Sequence, residues 1–103
     1  MTDHKSAKHC ADKLAALAEP NRIRIIECLR TGSKNVTELA RLLNVEIVNV
    51  SHHLGVLRTA ELVLDEKQGR FVIYSLNPKL FSNETSKATS LELGWCRVEI
   101  PHN

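Results

Sequence analysis

The segment that decides the fold runs from Val36 to Tyr74 and reads VTELARLLNV-EIVNVSHHLGVLRTA-ELVLDEKQGRFVIY. In its first two parts apolar residues recur every three or four positions, as in amphipathic helices, and Asn44 suits a tight turn between them. The third part contains two runs of strand-forming residues around Lys67-Gln68-Gly69, which predicts a β-hairpin. A helix-turn-helix followed by a hairpin wing is a shape that binds DNA, with its second helix in the major groove.

Two more amphipathic helices are predicted upstream, over about residues 6–18 and from Pro20 to about residue 30. The fold class is therefore mainly α with a small β-hairpin, a winged helix-turn-helix of order α-α-α-α-β-β. This DNA-binding domain takes up residues 1–80, and its recognition helix spans about 47–60. Residues 81–103 are predicted to be a polar linker followed by a C-terminal strand.

The alternation within residues 91–100 predicts one strand with two apolar faces, Leu91, Leu93 and Trp95 on one side and Cys96, Val98 and Ile100 on the other. A strand that is buried on both sides must pack against another element. We therefore expect residues 91–100 to be ordered and to contribute to a dimer, with Trp95 as the largest anchor.

Bulk properties restrict the class of protein. A length of 103 residues predicts one domain. No apolar run reaches the length of a membrane helix, and the N-terminus lacks a secretion signal, so a cytoplasmic location is expected. The three cysteines are widely spaced and odd in number, which predicts free thiols.

Charge gives only weak support for nucleic-acid binding. The net charge is +2, and residues 41–70 hold four positive and four negative side chains. Phosphate contacts must then come from a few placed side chains. No nucleophile–base pair, phosphate-binding loop or metal cluster is present, so an enzyme is not expected.

Two motifs together, LAEPNRIRI at 17–25 and VSHHLGVLR at 50–58, resemble the ArsR/SmtB family of bacterial winged-helix repressors. The resemblance covers about residues 10–80. It implies a homodimer that occupies an inverted-repeat operator in double-stranded DNA and blocks transcription until an inducer, often a metal ion, binds.

The family's metal ligands are missing from the matching positions. Asn35 and Thr37 flank Val36 where one family site has two cysteines, and neither is a thiolate. The second family site uses an Asp-x-His motif on a long C-terminal helix, whereas the only C-terminal histidine here is His102. We therefore predict no metal site and no cofactor.

The expected DNA-binding residues lie on the helix-turn-helix and the wing: Thr37, Val48, Asn49, Ser51, His52, Arg58, Lys67 and Arg70. Asn can pair with adenine, and Ser or His can reach bases or phosphate. A solvated helix face, charges kept for solubility and, for Arg58, an intramolecular ion pair are the alternatives. His53 is expected to pack or to form hydrogen bonds within the fold.

Four residues depart from the family or leave a choice open. The family usually has Ser-Gln where this chain has Glu46-Ile47, and often Lys where it has Gly55, which favours the alternative of a protein-interaction module without operator binding. Cys96 has two interpretations, a structural residue or a thiol sensor beside Arg97.

Overall fold

The computed structural model of the chain describes residues 4–82, 88–93 and 96–101. In chain order the elements are α1 His4–Leu17, α2 Pro20–Leu29, β1 Lys34–Asn35, α3 Val36–Leu43, α4 Ile47–Thr59, β2 Val63–Gln68, β3 Phe71–Leu76, β4 Phe81–Ser82, β5 Ala88–Glu92 and β6 Arg97–Pro101. The predicted order of four helices and a two-stranded wing is confirmed. Within the described part of the chain, no helix is long and apolar enough to cross a membrane.

Local chemistry sets the helix boundaries. Pro20 opens α2 behind Glu19, whose carboxylate accepts a hydrogen bond from the Arg22 amide at 3.0 Å. A capping box opens α3: Asn35 Oδ1 accepts from the Glu38 amide at 2.8 Å, and Glu38 accepts in return from the Asn35 amide at 3.0 Å. Asn44, at φ 55°, ends α3 in the left-handed region and allows the tight turn into α4.

The wing is a three-stranded antiparallel sheet of order β1-β3-β2. Its hairpin turn consists of Gly69 and Arg70, since Gln68 pairs with Phe71, and Gly69 has a φ of 63°. A two-residue turn with glycine at positive φ fits the right-handed twist of the strands. The first strand is therefore longer than predicted, and Arg70 lies in the turn itself.

The core is aliphatic, as the shortage of aromatic residues in the sequence predicts. Helix α1 adds the fully buried Cys10, and the fully buried large aliphatic side chains come from α2, α3, α4, the base of the wing and the C-terminal segment: Ile25, Ile26, Leu39, Val50, Leu54, Leu57, Leu62, Val63, Leu91 and Leu93. Each such side chain contributes about 1.5–3 kcal/mol when it leaves water. The recognition helix is therefore seated on a rigid base.

The C-terminal segment differs from its prediction. The range 91–100 does not form one strand: residues 91–92 end β5 and residues 97–100 belong to β6, and these strands pair in an antiparallel sheet of order β4-β5-β6, in which Leu91 pairs with Val98. The polar linker predicted from residue 81 contains β4 and the start of β5. Leu91 and Leu93 are fully buried in the core of their own chain. The predicted anchor Trp95 lies outside the described residues.

Two of the three cysteines form a disulfide, so the prediction of three free thiols is wrong for Cys10 and Cys96. Cys28 is free and partly buried. The bond joins α1 to the start of β6 across a sequence separation of 86 residues. Sequence spacing could not reveal this pair, because only the folded chain brings its two ends together.

Candidate nucleic-acid interface

The recognition helix α4 has one buried and one exposed face. Val50, Leu54 and Leu57 are fully buried on the inner face, whereas Val48 is 77% exposed. At about 100° per residue, His52 lies about 40° from Val48 around the helix axis and Ser51 about 60° to the other side. These three side chains form the central outer face, and all three are exposed.

Asn49 and Arg58 are also exposed but lie on opposite flanks of α4, about 100° and 80° from Val48. Thr37 is exposed at the second position of α3, the first helix of the helix-turn-helix. The structure thus exposes every expected DNA-binding residue of the helix-turn-helix, and it brings Val48, Ser51 and His52 onto one surface.

Arg58 forms the intramolecular ion pair that was its alternative interpretation. Its Nε lies 3.8 Å from Asp65 Oδ2 on β2, and both side chains are about half exposed. The pair joins the end of α4 to the base of the wing. Because exposed pairs contribute at most about 1 kcal/mol, this contact is weak enough to exchange partners.

The wing extends into solvent. After Val63 all the residues of β2 are exposed, and so are Phe71 and Val72 on the facing strand. Lys67 lies on β2 opposite Val72, and Arg70 lies in the turn. These two cations are therefore close to the tip of the wing.

Gly55 lies near the centre of the outer face of α4. It borders an open groove of about 730 Å³ between α1 and α4, together with Ala15 of α1 and Thr59 one turn further along α4. A Cβ atom added at Gly55 would meet nothing within 4 Å. The position can therefore accept a side chain.

Two sets of polar contacts fix α4 from its inner side, and sequence reasoning did not identify the partners in either. Lys13 of α1 is only 4% exposed, and its Nζ donates to the Ala60 carbonyl oxygen at 2.7 Å, at the C-terminal end of α4. Arg22 Nη1 lies 3.3 Å from His53 Nδ1, and His53 Nε2 lies 3.6 Å from Glu19 Oε2. The prediction that His53 forms hydrogen bonds within the fold is confirmed.

Comparison with known proteins fits this geometry. Residues 19–64 match the arsR family of bacterial regulatory proteins. The transcriptional regulator Rv2034 of Mycobacterium tuberculosis is 42% identical over 83 residues, which cover 81% of this chain and 75% of that protein. The chain belongs to the ArsR family.

Other known proteins are similar over the same region. The regulator NmtR of M. tuberculosis is 43% identical over 74 residues, 72% of this chain, but the match spans only 62% of the length of NmtR. Among solved structures, the homodimeric winged helix-turn-helix DNA-binding domain Mb0332 of Mycobacterium bovis superposes with a TM-score of 0.69 at 25% identity, covering 77% of this chain and 75% of that one.

The two positions that hold cysteines in one metal site of the ArsR family have other tasks here. Asn35 uses its side-chain oxygen to cap α3, and Thr37 faces solvent. Among the described residues, no group of three or more His, Cys, Asp or Glu side chains is arranged to hold a metal ion. His102 lies outside those residues, and the absence of metal sensing stays a prediction.

Proposed function

We propose that this protein is a repressor that binds an inverted-repeat operator as a homodimer, with α4 in the major groove and the wing along the backbone. The chief support is the division of α4 into a fully buried inner face and an outer face of exposed Val48, Ser51 and His52. A helix packed in this way presents side chains to DNA while its inner face stays packed on the core.

The side chains on the exposed surface differ in what they can contact. Asn49 and Ser51 are suited to hydrogen bonds with base edges, and Val48 to apolar contact with a thymine methyl group. His52, Thr37 and Arg58 are suited to phosphate or base edges, and Lys67 and Arg70 to the backbone or minor groove beside the wing. For Arg58 this requires that a phosphate replaces Asp65, an exchange that the exposure of the pair allows.

For the dimer contact we propose the outer face of α1. Ala11, Leu14 and Ala15 of α1 and Ala18 just after its end recur at spacings of three and four, and all are exposed. Leu91 and Leu93 are already buried within their own chain, so they are not free to anchor a partner. The C-terminal sheet contributes indirectly, because the disulfide joins it to α1.

The substitution Leu14→Glu tests this contact. It should raise the concentration at which the protein dissociates into monomers in sedimentation, because it sets a charge in an apolar contact. The matched control is Leu42→Glu, an exposed leucine on α3. Equal dissociation in both variants would exclude the outer face of α1.

Operator selection separates this proposal from the alternative of a protein-interaction module. The purified protein should enrich an inverted repeat from a random DNA pool, with half-sites about one helical turn apart. If no sequence is enriched, operator binding is excluded and the interaction module is favoured. We further infer a cytoplasmic protein without enzymatic activity, as befits a transcriptional regulator.

A second function, sensing by thiols, is favoured by the Cys10–Cys96 bond. We propose that Cys96, which is partly exposed and adjacent to Arg97, reacts first with a peroxide. The two thiols lose two electrons and two protons, and hydrogen peroxide is reduced to two waters. Disulfides in cytosolic proteins are usually transient or redox-sensing, which suits this assignment.

Oxidation should stabilise the fold and the dimer, since the bond closes most of the chain into one loop, an effect of roughly 4 kcal/mol for a loop of this size. Cys10→Ser should therefore abolish the effect of peroxide on melting temperature and operator affinity, whereas Cys28→Ser should retain it. Operator affinity that is equal in peroxide and in dithiothreitol would refute the sensor.

A further inference from the structure

Two interactions, a cation at a helix end and a guanidinium bridge, hold the recognition helix against the first two helices. Lys13 is buried, yet its ammonium group reaches the carbonyl oxygen of Ala60, the residue that caps α4. Carbonyls at a helix C-terminus lack partners within the helix and carry partial negative charge, so a cation there is favourable. The contact ties the end of α4 to the middle of α1.

The second interaction is the Arg22 cluster, which consists of Glu19, Arg22 and His53. Arg22 Nε donates to the Ala16 carbonyl oxygen at 2.6 Å, at the end of α1, and Nη1 lies 3.3 Å from His53 Nδ1. Since a guanidinium can only donate, Nδ1 is the acceptor of this bond. The ring proton then lies on Nε2, which faces the Glu19 carboxylate.

The Arg22 cluster therefore joins three helices at one point: the end of α1, the start of α2 and the middle of α4. It also brings the two sequence motifs into contact, because Glu19 and Arg22 belong to the first motif and His53 to the second. Neither cation is placed to contact DNA, since Lys13 is buried and Arg22 points to His53 and the α1 terminus.

The recognition helix has few other polar restraints. Its N-cap residue, Glu46, makes no side-chain capping bond. Gly55 lowers the intrinsic helix propensity in its middle. The apolar face fixes α4 on the core, but apolar contacts are not directional and leave rotation and sliding less restricted. The contacts of Lys13 and of the Arg22 cluster are directional, so they restrict the rotation and sliding of α4.

We propose that Lys13 and the Arg22 cluster are positioning groups for operator recognition. They set the place of α4 relative to α1 and hence, in a dimer formed through α1, the separation of the two recognition helices. This inference rests on the proposed operator binding. Its specific consequence is that these buried groups determine which half-site spacing the dimer prefers.

The test compares variants in the intact protein on three kinds of DNA: the selected operator, the same half-sites with one base pair added or removed, and unrelated duplex. Lys13→Met keeps the apolar stem and removes the ammonium, and His53→Leu removes the acceptor. Lys8→Met is the matched control, an exposed lysine on the same helix. His53→Asn is the rescue, because its amide oxygen can occupy the place of Nδ1.

We expect Lys13→Met and His53→Leu to lose about tenfold or more in affinity for the selected operator, because each removes a hydrogen bond that involves a charged group. Affinity for unrelated duplex should stay within about twofold, since no phosphate contact is lost. Discrimination between half-site spacings should flatten in both variants. Lys8→Met should behave as the wild type, and His53→Asn should recover most of the spacing preference.

Several outcomes overturn the proposal. Unchanged spacing preference in folded Lys13→Met and His53→Leu would show that these groups only stabilise the fold, as would a loss that is equal on specific and unrelated DNA. If Lys13→Met unfolds, the pair His53→Asn and His53→Leu decides, since equal spacing profiles in these two contradict the role of the acceptor. If His53→Leu unfolds, Lys13→Met against Lys8→Met decides, since equal spacing profiles in these two contradict the role of the buried ammonium. Failure of the wild type to select any operator would instead refute the proposed function.

Discussion

The substitution Gly55→Lys should strengthen both the fold and operator binding. Gly55 lies in the interior of α4, where glycine costs about 1 kcal/mol relative to alanine. An added Cβ meets nothing within 4 Å, so no clash offsets this gain. In a domain of about 100 residues, a gain of about 1 kcal/mol raises the melting temperature by roughly 4–8 °C.

The effect on binding has a separate origin. Gly55 lies near Ser51 and His52 on the outer face of α4, so a lysine there can reach a phosphate of the bound duplex. One added phosphate contact per subunit steepens the slope of log affinity against log salt by about 0.9 per subunit. Titrations of the operator at several salt concentrations measure this slope directly.

Two matched variants separate the causes. Gly55→Ala should give the thermal stabilisation without the change in salt slope, and Gly55→Glu should weaken operator binding through repulsion from phosphate. A stabilised Gly55→Ala that binds the operator about tenfold more weakly would refute the reasoning. It would indicate that the glycine backbone itself approaches the DNA, as glycine allows.

Four further predictions concern the exposed surface and the missing metal site. Asn49→Ala should cost about 1–3 kcal/mol in specific binding and relax preference at one base pair per half-site; unchanged affinity would exclude Asn49 from base reading. Arg70→Ala should weaken specific and unspecific binding alike and flatten the salt dependence, so a loss confined to one sequence would contradict a backbone contact. Asp65→Asn should release Arg58 from its ion pair and steepen the salt slope, an effect that the double variant with Arg58→Gln should abolish. Titration with zinc, cadmium or arsenite should leave operator affinity within about twofold, and a stoichiometric zinc site that releases DNA would overturn this expectation.

Most of the helical architecture could be predicted because its signals are local. The turn at Asn44 and the proline at the start of α2 both act within a few residues. The wing was located correctly for the same reason, although its turn consists of Gly69 and Arg70 and not of Lys67-Gln68-Gly69. A glycine near the tip indicates a turn without fixing its register.

The C-terminal region could not be predicted correctly because its structure depends on pairing between distant positions. Alternation in residues 91–100 indicates strand but not a reversal of the chain, and the pairing of Phe81 with Leu91 crosses a segment of polar residues. A strand buried on both faces and a hairpin buried on one face give nearly the same local pattern. The disulfide is a still longer-range feature.

The candidate site, like the fold, could be predicted only in its local features. Its exposed residues follow from the helical period of α4, whereas the contacts of Lys13 and Arg22 span 47 and 31 residues. A lysine or an arginine in the sequence of an amphipathic helix normally indicates a solvated side chain. Only the motif around Glu19 and Arg22 gave a signal, and that signal pointed to the family without indicating a contact.

The pairing of β1 with β3 has a mechanical consequence. Asn35, which caps α3, pairs with Ile73 on the central strand of the wing. The wing is therefore a lever arm roughly 10 Å long, from Arg70 at the tip to Ile73. Its fixed end lies at the first turn of α3. A force applied to the tip by a phosphate is passed through the strand ladder to the start of the helix-turn-helix. Bending of the DNA under the wing would then exert a torque on α3.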